Sequence, residues 1–123
     1  MPQILLIEDD EQFRAMLAQM LTEDGHQVSM ARDGDEGLSL ASRSRWDLIV
    51  TDILMPHRDG IQMIVALGQG GSKVPIVAMS GGRRSVSDDF NLESATLVGV
   101  KAALSKPFTR ADLRRALAAA LKP

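Results

Sequence analysis

The stretch Asp47-Leu48-Ile49-Val50-Thr51-Asp52-Ile53-Leu54-Met55-Pro56 decides how the rest of the chain is read. Leu48, Ile49 and Val50 form the short continuous apolar run that a strand buried on both faces requires. The run stops at a carboxylate, Asp52, and Met55-Pro56 forbids its continuation, because proline cannot donate to a sheet ladder. In an open parallel sheet, ligands sit at the carboxyl ends of the strands, so Asp52 stands where a nucleophile or metal ligand would be placed. Taken alone it is equally a turn residue, since Asp is common at strand ends for its local backbone hydrogen bonds.

Working outward, the same pattern recurs. Ile4-Leu5-Leu6-Ile7 is a second apolar run, ending in the acids Glu8-Asp9-Asp10-Glu11. Val74-Pro75-Ile76-Val77-Ala78-Met79 is another and delivers Ser80; Lys101-Ala102-Ala103-Leu104-Ser105 is a shorter one ending at Lys106-Pro107. Gln27-Val28-Ser29-Met30-Ala31 alternates, as a strand nearer the sheet edge does.

Helical spacing fills the intervals. Phe13, Met16, Leu17, Met20 and Leu21 fall on one expected inward face, with Asp10 placed to cap the start and Gly25 where the helix stops. A second helix is predicted around Leu38 and Ala41 after Asp33-Gly34, and a third from Asp59-Gly60 with Ile61, Ile64 and Leu67 inward. A fourth is expected between Arg83 and Gly99, where the apolar spacing is irregular. Thr109 with Asp112 forms a capping box for a fifth, carrying Leu113, Ala116, Leu117, Ala120 and Leu121 on one face.

This is βα five times over, with crossovers short enough to demand parallel strands and right-handed connections: a doubly wound α/β fold with five helices. The chain of 123 residues is expected to be one domain, 1–123, without an output domain. Glu8 and Asp9, Asp52, Ser80 and Lys106 all fall at strand ends, and such agreement is hard to reach by accident.

Composition narrows the partners. With 14 basic and 16 acidic residues the net charge is −2, so no field favours nucleic acid, and with no cysteine there is neither a disulfide nor a thiolate metal site. No apolar run approaches the roughly 20 residues of a membrane span, and Met1-Pro2-Gln3 lacks a signal-peptide start; a cytoplasmic location is expected. His26 and His57 share no strand end, and the latter reads as a loop residue near the crevice.

The blocks ILLIEDD (Ile4 to Asp10), DLIVTDILMP (Asp47 to Pro56) with Asp59-Gly60, IVAMSG (Ile76 to Gly81) and LSKPF (Leu104 to Phe108) resemble, in order and spacing, those of the response-regulator receiver domain of two-component and phosphorelay signalling. The resemblance covers essentially the whole chain. It implies a flavodoxin-like sheet of order 2-1-3-4-5 and a phosphoacceptor aspartate at the end of the third strand, which here is Asp52. It implies Mg²⁺ as cofactor, with Asp9, Asp52 and the Leu54 backbone carbonyl as direct ligands and Glu8 through water. Lys106 and the Ser80 hydroxyl would each meet a phosphoryl oxygen, and Lys106-Pro107 is expected to be cis. The expected partners are a sensor histidine kinase or histidine phosphotransfer protein and a downstream protein target; nucleic acid and membrane are not expected, and a homodimer is allowed. Arg110, Arg114 and Arg115, facing Asp88, Asp89 and Glu93, are the expected contact face.

The chain departs from the family at Ala103, where an aromatic residue usually stands, and Ser80 to Lys106 is a few residues longer than typical. Leu54 and Gly82 offer no polar side chain to orient attacking water. Two other readings stand beside the phosphoacceptor: a receiver-like binding module that is never phosphorylated, and a Mg²⁺-dependent phosphatase of the haloacid-dehalogenase type. The phosphatase needs a second acid two residues after its nucleophile, and Leu54 occupies that place.

Overall fold

A computed structural model describes residues 1–53, 60–80 and 100–122, Ile61 by its backbone only. Five strands, β1 (Gln3–Ile7), β2 (Gln27–Ala31), β3 (Leu48–Asp52), β4 (Ile76–Ser80) and β5 (Val100–Ser105), form one parallel sheet of order β2-β1-β3-β4-β5. Four helices are described: α1 (Glu11–Glu23), α2 (Gly34–Arg43), α3 (Gly60–Gln69) and α4 (Arg110–Ala120). The helix expected between Arg83 and Gly99 lies outside the described residues, as do Leu54 and His57.

Alternation along the strands divides the core. Ile4, Leu6, Leu48, Val50, Val77 and Met79 face Leu17 and Leu21 of α1 and Leu113 and Leu117 of α4. Leu5, Ile7, Ile49 and Ile76 face Met63, Ile64 and Leu67 of α3 on the other side. β3 and β4 are buried at every position, which explains why their sequences run apolar without alternation. Each fully buried Leu or Ile contributes roughly 1.5–3 kcal/mol over an exposed one, so the site at the strand ends stands on a stiff floor.

Local signals set the helix ends. The Asp10 carboxylate accepts from the Phe13 amide at 2.9 Å, and that of Asp33 from the Glu36 amide at 2.8 Å. At α4 the Thr109 hydroxyl accepts from the Asp112 amide while the Asp112 carboxylate accepts from the Thr109 amide, each at 3.0 Å, the reciprocal box expected. Gly25, just past α1, holds φ at +94°, a region that side-chain-bearing residues rarely adopt.

One detail differs from expectation. Met16 is 47% exposed: at 3.6 residues per turn it points roughly 60° away from Phe13, outside the stripe that Leu17 and Leu21 define. Of the expected contact face, Asp88, Asp89 and Glu93 lie outside the described residues; Arg110 and Arg114 pair with α1, with Glu23 at 2.5 Å and bidentately with Asp24 at 3.0 and 2.8 Å, and Arg115 pairs with Asp112 in its own helix. The sheet order puts α1 and α4 side by side on one face, which brings the acids at the end of α1 within reach.

Gly60 opens α3 hard against the end of β3. Its amide donates to the Ile53 carbonyl at 2.5 Å, and an added Cβ would lie 2.7 Å from the Ile53 Cα and closer still to the Asp52 carbonyl oxygen. Backbone cannot rotate aside as a side chain can. Gly60→Ala is therefore expected to destabilise the fold by about 2–3 kcal/mol, read as a lower urea midpoint; an unchanged midpoint would show that the α3 start is free to shift.

Candidate functional site

The ends of β1, β3, β4 and β5 converge because all strands are parallel and adjacent in the sheet. Glu8 follows β1 directly, is fully buried, and is held by its amide donating to the Ala31 carbonyl at 3.1 Å and by the Arg14 guanidinium donating to its carbonyl at 2.8 Å. Asp9 next to it is exposed. Asp52 closes β3 and is 6% exposed; Ser80 closes β4 and is 2% exposed. Lys106, just past β5, is tied to β4 by its amide donating to the Ser80 carbonyl at 2.8 Å, and its bond to Pro107 is cis, as expected.

The side chains meet. One carboxylate oxygen each from Glu8, Asp9 and Asp52 lies within 4.8 Å of the other two. The Lys106 ammonium bridges Glu8 Oε1 at 2.5 Å and Asp52 Oδ2 at 2.8 Å, and Glu8 Oε2 accepts from the Asp10 amide at 3.1 Å. Among the described residues, the buried Ser80 hydroxyl oxygen has no hydrogen-bond partner, which leaves it available to a group brought to the site.

Electrostatics follow from this geometry. Burial pushes the Glu8 carboxyl up to about 7; the hydrogen bond from Lys106 opposes the rise and the neighbouring Asp52 charge adds to it. For Lys106 burial works downward, but the hydrogen bonds to Asp52 and Glu8 outweigh it and raise the ammonium above its ordinary value. Among the described residues, the Lys106 ammonium faces the carboxylates of Glu8, Asp9 and Asp52, an excess of negative charge that a proton on Glu8 or a hard cation among these oxygens would reduce.

The expected site residues Glu8, Asp9, Asp52, Ser80 and Lys106 thus come to one crevice, whereas the Leu54 carbonyl lies outside the described residues. His26, away from the strand ends, lines a separate cleft with Asp24 and Arg114. Arg14 and Phe13 were not foreseen at the site: Lys106 Nζ sits 4.3 Å from the Phe13 ring centroid. The available signal was position, since both occupy the first turn of the helix that leaves the acidic cluster.

Residues 4–118 match the family model described as the response regulator receiver domain. The chain is 33% identical over 119 residues to the response regulator MprA of a Mycobacterium species, covering 97% of this chain and 50% of that protein. It is 39% identical over 113 residues to the transcriptional regulatory protein PrrA of Mycobacterium leprae, covering 91% of this chain and 46% of the other. The chain therefore spans about half the length of these curated relatives. Among solved structures, the receiver domain of a sensor histidine kinase from Pseudomonas aeruginosa, with a magnesium ion coordinated in its active-site cleft, superposes with a TM-score of 0.85 at 30% identity over 98% of this chain and 97% of that one. The chemotaxis protein CheY4 of Vibrio cholerae superposes with a TM-score of 0.85 at 29% identity, covering 98% of this chain and 99% of that one.

Proposed function

Because this chain belongs to the response regulator receiver domain family, we propose that Asp52 is its phosphoacceptor, modified by a histidine kinase or a histidine phosphotransfer protein in a Mg²⁺-dependent reaction. The observation that carries this reading is the Lys106 ammonium bridging Glu8 and Asp52, with the Ser80 hydroxyl at the next strand end buried and without a hydrogen-bond partner among the described residues. An Asp52 carboxylate oxygen attacks phosphorus, the bond from phosphorus to the donor breaks, and the donor leaves with the electron pair. Charge on the three equatorial oxygens then needs partners more than it needs covalent chemistry. Lys106 exchanges its bond to Asp52 for one phosphoryl oxygen, and the Ser80 hydroxyl donates to another.

Glu8, Asp9 and Asp52 fit a hard cation by donor type and by mutual distance. Asp9 and Asp52 would hold the ion directly, and Glu8, whose two oxygens are already engaged, would do so through water; the Leu54 carbonyl expected beside them lies outside the described residues. Bound there, Mg²⁺ would supply a positive charge for a phosphoryl oxygen.

The downstream effect is exerted through protein contacts of this cytoplasmic domain, a second copy of the chain being one allowed partner. Ala103 is exposed on β5 and pairs in register with Ala78, so position 103 supplies no aromatic ring to follow Ser80; the route proposed for the signal, from Ser80 into residues 81–98, lies outside the described residues. Nucleic acid is not expected as a partner of these 123 residues, whose net charge is −2; relatives called transcriptional regulatory proteins are about twice as long. No helix among the described residues is long and apolar enough to cross a membrane.

Incubation with Mg²⁺ and acetyl phosphate, followed by intact mass, tests the reading. One phosphate per chain, absent in EDTA, is expected. Continuous phosphate release over many turnovers would instead indicate the phosphatase, and no adduct at all the unphosphorylated binding module.

A further inference from the structure

We infer that Phe13 is a positioning residue for phosphoryl transfer: its ring is a seat that holds the Lys106 ammonium between Glu8 and Asp52. The inference rests on the reading of Asp52 as phosphoacceptor. A lysine reaches its target on a flexible four-carbon stem, and at 20% side-chain exposure Lys106 is open to competing solvated rotamers. An ammonium has three N–H donors. Two are taken by Glu8 Oε1 at 2.5 Å and Asp52 Oδ2 at 2.8 Å, and the Phe13 ring lies 4.3 Å from Nζ. The ring's negative face attracts the cation without competing as a directional acceptor.

The seat is itself fixed. The Phe13 amide is bound by the Asp10 carboxylate at 2.9 Å, which sets the first turn of α1. The Phe108 ring, two residues beyond Lys106, meets the Phe13 ring perpendicularly at a centroid distance of 5.8 Å. The segment that carries the lysine therefore closes on the same ring from two directions. This matters during transfer, because the carboxylate partners of Lys106 change as the phosphoryl group arrives whereas the ring does not. A non-directional contact lets the ammonium pivot from Asp52 to a phosphoryl oxygen while its position above the crevice is kept.

Phe13→Leu retains apolar bulk and removes the quadrupole, and Phe13→Tyr retains both. With saturating Mg²⁺ and acetyl phosphate, Phe13→Leu is expected to label roughly fivefold more slowly, and Phe13→Tyr to recover wild-type rate within about twofold. Mg²⁺ affinity should not move in either, since Phe13 offers no ligand. In wild type the ring current should displace the Lys106 ε-methylene proton resonances upfield of those of the other lysines, a signature that needs no variant. Wild-type labelling by Phe13→Leu, labelling by Phe13→Tyr as slow as by Phe13→Leu, or ordinary Lys106 resonances in wild type would each overturn the seat. If wild type itself takes up no phosphate, the phosphoacceptor reading fails, while the resonance position still decides whether Phe13 holds Lys106.

Discussion

Asp52→Asn is expected to take up no phosphoryl group under conditions that modify wild type completely. The amide is not a nucleophile toward phosphorus, and the neighbours offer no replacement: Glu8 has one oxygen on Lys106 and the other on the Asp10 amide, and Asp9 sits on the exposed side of the cluster. The change also removes one of the three charges that a cation would meet, so Mg²⁺ should bind at least roughly tenfold more weakly. Intact mass after acetyl phosphate treatment and a calorimetric Mg²⁺ titration read the two effects separately. Unchanged labelling would move the acceptor elsewhere, and unchanged Mg²⁺ affinity would remove Asp52 from the metal site.

Lys106→Met is expected to destabilise the metal-free protein by an amount that depends on pH. The fully buried Glu8 and the nearly buried Asp52 lose the cation that bridges them, and breaking such a pair leaves uncompensated charge. At pH 8 the loss should be about 2–3 kcal/mol, below the full figure for a wholly buried pair because Lys106 is partly exposed. The Glu8 carboxyl, pushed up to about 7 from an ordinary 4.5, supplies the pH dependence. A group raised in the folded state contributes stability that is fully present below its ordinary pKa and is lost as pH rises through the folded one. Removing Lys106 takes away the hydrogen bond that opposes the rise, so Glu8 in the variant should hold its proton to still higher pH and soften the loss at pH 6. Urea unfolding in EDTA at the two pH values checks this. Equal losses at both would mean that Glu8 does not take up the proton.

How much of this was legible depends on the range over which each signal acts. The buried strands announce themselves in Leu48-Ile49-Val50 and Ile76-Val77, and the caps at Asp10, Asp33 and Thr109 are bonds between residues three apart, so both are written locally. The crevice was legible at one remove, because parallel strands of known order must bring their ends together. Contacts between distant side chains were not. Lys106 and Glu8 lie 98 residues apart, and nothing local says that the lysine pairs with the buried acid as well as with Asp52. Phe13 reads by periodicity as a core residue, and only the packing of the β5–α4 connection onto the start of α1 turns it toward an ammonium. The pairs of Arg110 with Glu23 and of Arg114 with Asp24 were not legible either, because these residues become neighbours only once α1 and α4 share a side of the sheet.

On phosphorylation, phosphorus should become bonded to a carboxylate oxygen of Asp52. Borohydride reduces an acyl phosphate to an alcohol and leaves free carboxylates alone, so reduction after acetyl phosphate treatment marks the acceptor permanently. Peptide mass mapping should then find homoserine at position 52 and aspartate unchanged at positions 9 and 10. Homoserine at 9 or 10, or a phosphate retained on His26 or His57 with position 52 untouched, would contradict the account.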